Sequence, residues 1–133
     1  MTELISEDFL RQLSEDVGRE TMPVLQKAFA KGASKHIRTL QEAQPMTTEG
    51  LEKVSFHGHA LKGMSQSLGL PALGELGAYL ENSSKRMQKI TPEPEEMTRF
   101  WNRSAEIIAV LDPLLIKSLE SLQAWLDSTE AQG

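Results

Sequence analysis

Apolar side chains recur every three or four residues along almost the whole chain, and prolines rather than polar stretches interrupt the pattern. Leu25, Phe29, Ile37 and Leu40 form one stripe, Leu73, Leu76, Gly77, Leu80, Met87 and Ile90 a second, and Met97, Trp101, Ser104, Ile108 and Leu111 a third. A repeat near 3.6 residues places each set on one face of a helix. The apolar residues are mostly Leu, Ala, Met and Ile, with aromatics at only 5%, a balance that favours helices over strands. The expected fold is all-α.

Capping residues and prolines divide the pattern. Ser6 can cap a short helix carrying Phe9, Leu10, Leu13 and Val17 and stopped by Gly18, placed as a lid on the end of a bundle. A second helix opens near Thr21, tolerates Pro23 in its first turn and ends near Gln44. Pro45 breaks it, and Thr47 or Thr48 caps a third helix running to about Leu68, with Gly69 just past its end. Pro71 starts the fourth after so short a turn that helices three and four must be antiparallel neighbours. Thr91-Pro92-Glu93-Pro94 is a rigid connection to the next helix. Asp112-Pro113 reads as a cap and first-turn proline, predicting a break or sharp kink. The last helix carries Leu115, Leu119, Leu122 and Leu126 before a polar tail. The prediction is an antiparallel up-down-up-down four-helix bundle in a single domain spanning residues 1–133. Its core covers residues 20–112, with a short N-terminal helix and a C-terminal helical extension at 113–127.

Composition narrows the function. With 133 residues the chain fits one core. The absence of cysteine excludes disulfides, thiolate metal sites and thiol nucleophiles. A net charge of −5 argues against non-specific nucleic-acid binding, which needs a basic surface. No apolar run approaches the roughly 20 residues of a membrane span and MTELISEDFL lacks a signal pattern, so a cytoplasmic protein is expected. No Gly-rich phosphate loop is present.

The third helix holds the chemistry. At about 100° per residue with His59 at zero, Lys62 lies near −60°, Gly63 near +40°, Gln66 near −20°, Ser55 near −40° and Phe56 near +60°. Leu61 and Leu68 fall near the opposite side, so His59 is expected in solvent. Neutral imidazole is a competent nucleophile, its ordinary pKa being about 6.5. A phosphoryl group on it would bring close to two negative charges to mid-helix, where no backbone N–H is free. Lys62 is placed to neutralise them. Gly63 clears the approach at a helix-propensity cost of ~1 kcal/mol, and on a solvent face close helix packing does not explain it. The approach of a partner protein does.

The string His59-Ala60-Leu61-Lys62-Gly63, with Ser65 and with Gly69 ten residues after the histidine, resembles the signature of histidine-containing phosphotransfer (HPt) domains. The stretch Phe9 to Ala43 also resembles free-standing members of bacterial quorum-sensing relays, so the resemblance covers about the first 90 residues. It implies that His59 accepts a phosphoryl group through Nε2 and that Lys62 balances its charge. It further implies that Glu81, 22 residues on, holds Nδ1 and so fixes the tautomer. The partners implied are receiver domains of a hybrid sensor kinase and a response regulator; neither nucleic acid nor membrane is expected as a partner, and a monomer is expected. Mg²⁺ would come with the receiver, the chain binding no cofactor or metal alone. The docking surface would comprise Ser55, Phe56, Gln66, Ser67 and Gly69.

Two features depart from the family pattern. Met64 stands where a small residue is usual and faces the core, and His57, near 160°, is expected at the buried side. An i, i+2 histidine pair shares no helix face and makes a poor metal site. His36 has no evident partner. A sensor-kinase histidine would be followed by an acid and, four positions on, a proline, where this chain has Ala60 and Gly63. Autonomous kinase activity is therefore not expected. The rival reading is a helical-bundle adaptor that binds receivers or kinases without carrying phosphate.

Overall fold

The computed structural model describes residues 2–132, with side chains to 128. Five α-helices follow in order: α1 (Glu7–Val17), α2 (Met22–Gln41), α3 (Thr48–Ser67), α4 (Pro71–Lys89) and α5 (Pro94–Gln132), with one 3₁₀ turn at Arg19–Thr21. No strand occurs among the described residues. In the bundle α2 packs on α3, α3 on α4 and α4 on α5, and α5 closes the ring against α2.

The boundaries follow local chemistry. Ser6 Oγ accepts from Phe9 N–H at the start of α1, and Thr47 Oγ1 accepts from Gly50 N–H at the start of α3, each satisfying a donor that has no partner within the helix. At the end of α3, Leu70 N–H donates to Ser65 O and Gly69 N–H to Gln66 O. This is a Schellman closure, and Gly69 supplies its left-handed residue with φ 71°. The N-terminal segment is fastened to this turn, Ser6 N–H donating to Gly69 O and Ala72 N–H to Glu3 O. With Leu10 fully buried, α1 closes the end of the bundle at the α3–α4 turn.

The expected break at Pro113 does not occur, since α5 is continuous through it. Pro113 removes one helical hydrogen bond, leaving Ala109 O without its donor, but both residues lie on the exposed face, where water can take that place. On the opposite face Ser104, Ile107, Leu111, Leu115, Ser118, Leu122 and Leu126 form one buried seam. Tertiary packing of that seam outweighs the local penalty. Asp112 caps nothing here; its carboxylate accepts from Gln41 Nε2 at 2.9 Å. The residues after Pro113 thus belong to the core rather than to an extension, with Leu115, Leu122 and Leu126 joining the cluster that holds Ile37, Leu73 and Leu80.

Helices α3 and α4 approach closely at Gly58 and Gly77. A Cβ on Gly77 would stand 2.8 Å from Lys62 N and 2.9 Å from Gly58 O. One on Gly58 would stand 2.9 Å from Gly77 O and from Glu81 N. Only hydrogen fits at either position, and this contact brings Glu81 beneath the exposed face of α3.

On its other side α3 meets α2 through two histidines. His36 and His57, both partly buried, place their Nδ1 atoms 2.8 Å apart, and Phe56 packs edge-on against the His57 ring. His36, without an evident partner in the sequence, therefore has one. One ring must donate and the other accept, so the pair excludes protonation of both Nδ1 atoms together. Burial first, then the neighbouring His36 and Lys53, lower the His57 pKa from its ordinary value. The folded state thus prefers neutral His57, while the unfolded chain takes up a proton near the ordinary 6.5. Stability contributed by this residue is complete above that pH and is lost as pH falls below it. Urea midpoints of the wild type should drop between pH 7 and 5, and those of His57→Gln should drop less. Equal pH slopes in the two proteins would show that the pair does not control stability.

Candidate functional site

His59, Lys62, Gly63 and Gln66 share the face of α3 that points away from the buried Leu61 and Val54. The His59 side chain is 65% exposed. From α4, Glu81 rises under it and is itself only 2% exposed. Glu81 Oε2 lies 2.7 Å from His59 Nδ1 and 2.7 Å from Lys85 Nζ, and Oε1 lies 2.8 Å from Lys62 Nζ.

These contacts set the protonation states. The ammonium groups of Lys62 and then Lys85 hold the Glu81 pKa down to about 2, against the opposing effect of burial, with His59 adding a smaller contribution in the same direction. Glu81 is therefore a carboxylate at neutral pH and can only accept. The proton in its contact with His59 must reside on Nδ1, which leaves the lone pair on Nε2. The result is an imidazole oriented through Nδ1 on a side chain that is 65% exposed.

Gly63 follows His59 by one helical turn, and a Cβ there would meet nothing within 4 Å, the imidazole included. No packing inside the chain requires glycine at this position. From Gly63 a shallow apolar groove runs between α2 and α3, lined by Leu25, Phe29, Met64 and Leu68. Met64 thus packs toward α2, its methyl group occupying the space above Gly32.

Not all of the docking residues expected from sequence are accessible. Phe56 is 66% exposed, and Gln66 and Ser67 lie at the surface. Ser67 Oγ donates to Gly63 O at 2.8 Å. Gly69 is buried, because Phe9 and Leu10 of α1 cover it, and it cannot form part of a docking face. Ser55 is buried as well, on the side of α3 that meets α4, and only borders the hollow between Phe56, His59 and Lys85. Lys85, which shares Glu81 Oε2 with His59, was missed. Its signal was present as a Glu81-Lys85 pair at i, i+4, an arrangement favourable within a helix.

The result is a helical bundle with one exposed histidine on an open face, held from below by a buried carboxylate and followed by a lysine one turn on. The chain belongs to the Hpt domain family, whose model matches residues 8–125 and so extends through most of α5. The family acts in phosphotransfer within phosphorelays, its members being carriers that work with receiver domains and not autonomous kinases. A search among curated proteins finds no match, and neither does a search among solved structures. Among the described residues no helix is long and apolar enough to cross a membrane.

Proposed function

We propose that this protein is a cytoplasmic phosphocarrier that accepts a phosphoryl group on His59 Nε2 from the phosphoaspartate of one receiver domain and passes it to another. The donor would be the receiver of a hybrid sensor kinase, and the acceptor that of a response regulator. The observation that carries this reading is the His59 environment: Nδ1 on a buried carboxylate, a side chain 65% exposed, and open space at Gly63 one turn on.

In the transfer the aspartyl P–O bond breaks as the Nε2–P bond forms, and the aspartate carboxylate leaves. Nδ1–H remains on the ring, and Glu81 balances the positive charge that the ring acquires. Lys62 attracts the phosphoryl oxygens. Positioning and electrostatics supply the catalysis, as in phosphoryl transfer generally. The divalent cation of the reaction comes with the receiver; both Glu81 oxygens are already taken by cationic partners, a donor set unsuited to Mg²⁺. Phe56, Gln66, Ser67 and the apolar groove beside Gly63 form the surface on which the receiver docks.

The test is transfer of label from a phosphorylated receiver to the purified protein. The expected product is a phosphoramidate, lost in acid and kept in alkali. Receivers that bind the protein but never give up label would instead favour an adaptor.

A further inference from the structure

Two lysines hold one buried carboxylate, although one positive charge would balance it. Glu81 needs a cation, because an unpaired buried charge is strongly destabilising. Lys62 and Lys85 both supply one, at 2.8 Å and 2.7 Å, but their positions differ. Lys62 comes from α3, one turn after His59 on the same helix face, and pairs with Oε1, the oxygen that His59 does not use. Lys85 follows Glu81 by one turn on α4, and its side chain is half exposed. Its pairing is therefore local to α4 and independent of what α3 does.

A phosphoryl group on Nε2 brings close to two negative charges. To reach its oxygens Lys62 must release Glu81 Oε1. If Lys62 were the only cation, that release would strand a buried carboxylate, and the gain at the phosphoryl group would be offset by the loss at Glu81. With Lys85 retained on Oε2, Glu81 stays balanced and keeps its hold on Nδ1.

We propose that Lys85 is a positioning residue: it holds the buried Glu81 carboxylate so that Lys62 is free to turn from Glu81 to the phosphoryl group on His59. The proposal rests on His59 as phosphoacceptor. Loss of Lys85 should then act through Lys62, which would stay bound to Glu81 and become unavailable to phosphate. Replacing Glu81 by neutral glutamine should remove the need for Lys85, since no buried charge remains to be balanced.

The test is a set of single and combined variants of the full chain, phosphorylated with potassium phosphoramidate. This donor needs no partner protein; its P–N bond breaks as the Nε2–P bond forms, and ammonia leaves. Lys62→Ala and Lys85→Met should each slow uptake by about tenfold, a change of about 1.4 kcal/mol in barrier. The two lysine losses are combined only with Glu81→Gln, where no buried charge is stranded, and together they should slow uptake no more than Lys62→Ala does there. In a Glu81→Gln background, Lys85→Met should add less than about a twofold loss, well inside the range expected of uncoupled surface changes. Lys85→Arg, which retains the cation, should restore most of the wild-type rate. The proposal is overturned if Lys85→Met takes up label at the wild-type rate. It is overturned equally if Lys85→Met keeps its full penalty beside Glu81→Gln, since Lys85 would then act on phosphate directly. A wild type that takes no label would overturn the phosphoacceptor reading and this proposal with it.

Discussion

His59→Gln is expected to fold as the wild type does and to take up no phosphoryl group from a phosphorylated receiver. The uptake should fall to background, a loss of at least about 10³-fold, because glutamine offers no nucleophilic nitrogen. Folding should be spared for two reasons. The His59 side chain is 65% exposed, and substitutions at such positions usually change stability by within about 0.5 kcal/mol. The contact beneath it is also replaceable, since a glutamine amide can donate toward Glu81, and Lys62 and Lys85 still balance that carboxylate. Label retained on His59→Gln would remove His59 as the acceptor and turn attention to His57 or His36. A variant that loses label but also unfolds would leave the cluster with a structural role.

The exposure of His59 was legible because it depends on one helix alone. Its angular distance from Leu61 and Val54 follows from residue spacing, and no neighbouring helix alters it. Helix limits were legible for the same reason: Ser6, Thr47, Gly69 and Pro71 act on the residues next to them. The hold of Glu81 on His59 Nδ1 was implied only by family resemblance and its burial not at all, since the spacing of α4 does not reveal which residue faces α3 at Gly58 and Gly77. The pairing of His36 with His57 has no signal in sequence at all. It depends on the register between α2 and α3, set by packing along their whole length.

The errors have the same origin. Ser55 lies within about 40° of His59 on the helical wheel, yet it is buried, because α4 comes close to that side of α3. Gly69 was placed on the docking face, but α1 returns across it from a distant part of the sequence. At Pro113 a sound local rule met a stronger tertiary term. A proline on the exposed face of a helix whose other face is buried throughout loses one hydrogen bond, whereas breaking the helix would disturb the packing of the whole seam.

Gly77→Val is expected to separate α3 from α4 and to disable the site from a distance. The added Cβ would meet Lys62 N at 2.8 Å and Gly58 O at 2.9 Å. Both are backbone atoms of a helix and cannot rotate aside as a side-chain tip could, so the helices must move apart. Overpacking of this kind costs about 1–3 kcal/mol, and the rigid opposing surface puts this case near the upper end. For a chain of this length that corresponds to a fall in Tm of about 10 °C. The same displacement would lengthen the contacts of Glu81 with His59 and Lys62, which span this interface, while leaving its contact with Lys85 within α4 intact. Phosphoryl uptake should therefore fall more than the loss of folded protein at the assay temperature explains. Gly63→Ala, on the facing helix α3, is the control. Its Cβ enters open space, and the gain in helix propensity should raise stability by up to ~1 kcal/mol. Thermal melts that rank Gly77→Val and Gly63→Ala alike would show that close approach at Gly77 does not determine how α3 and α4 pack.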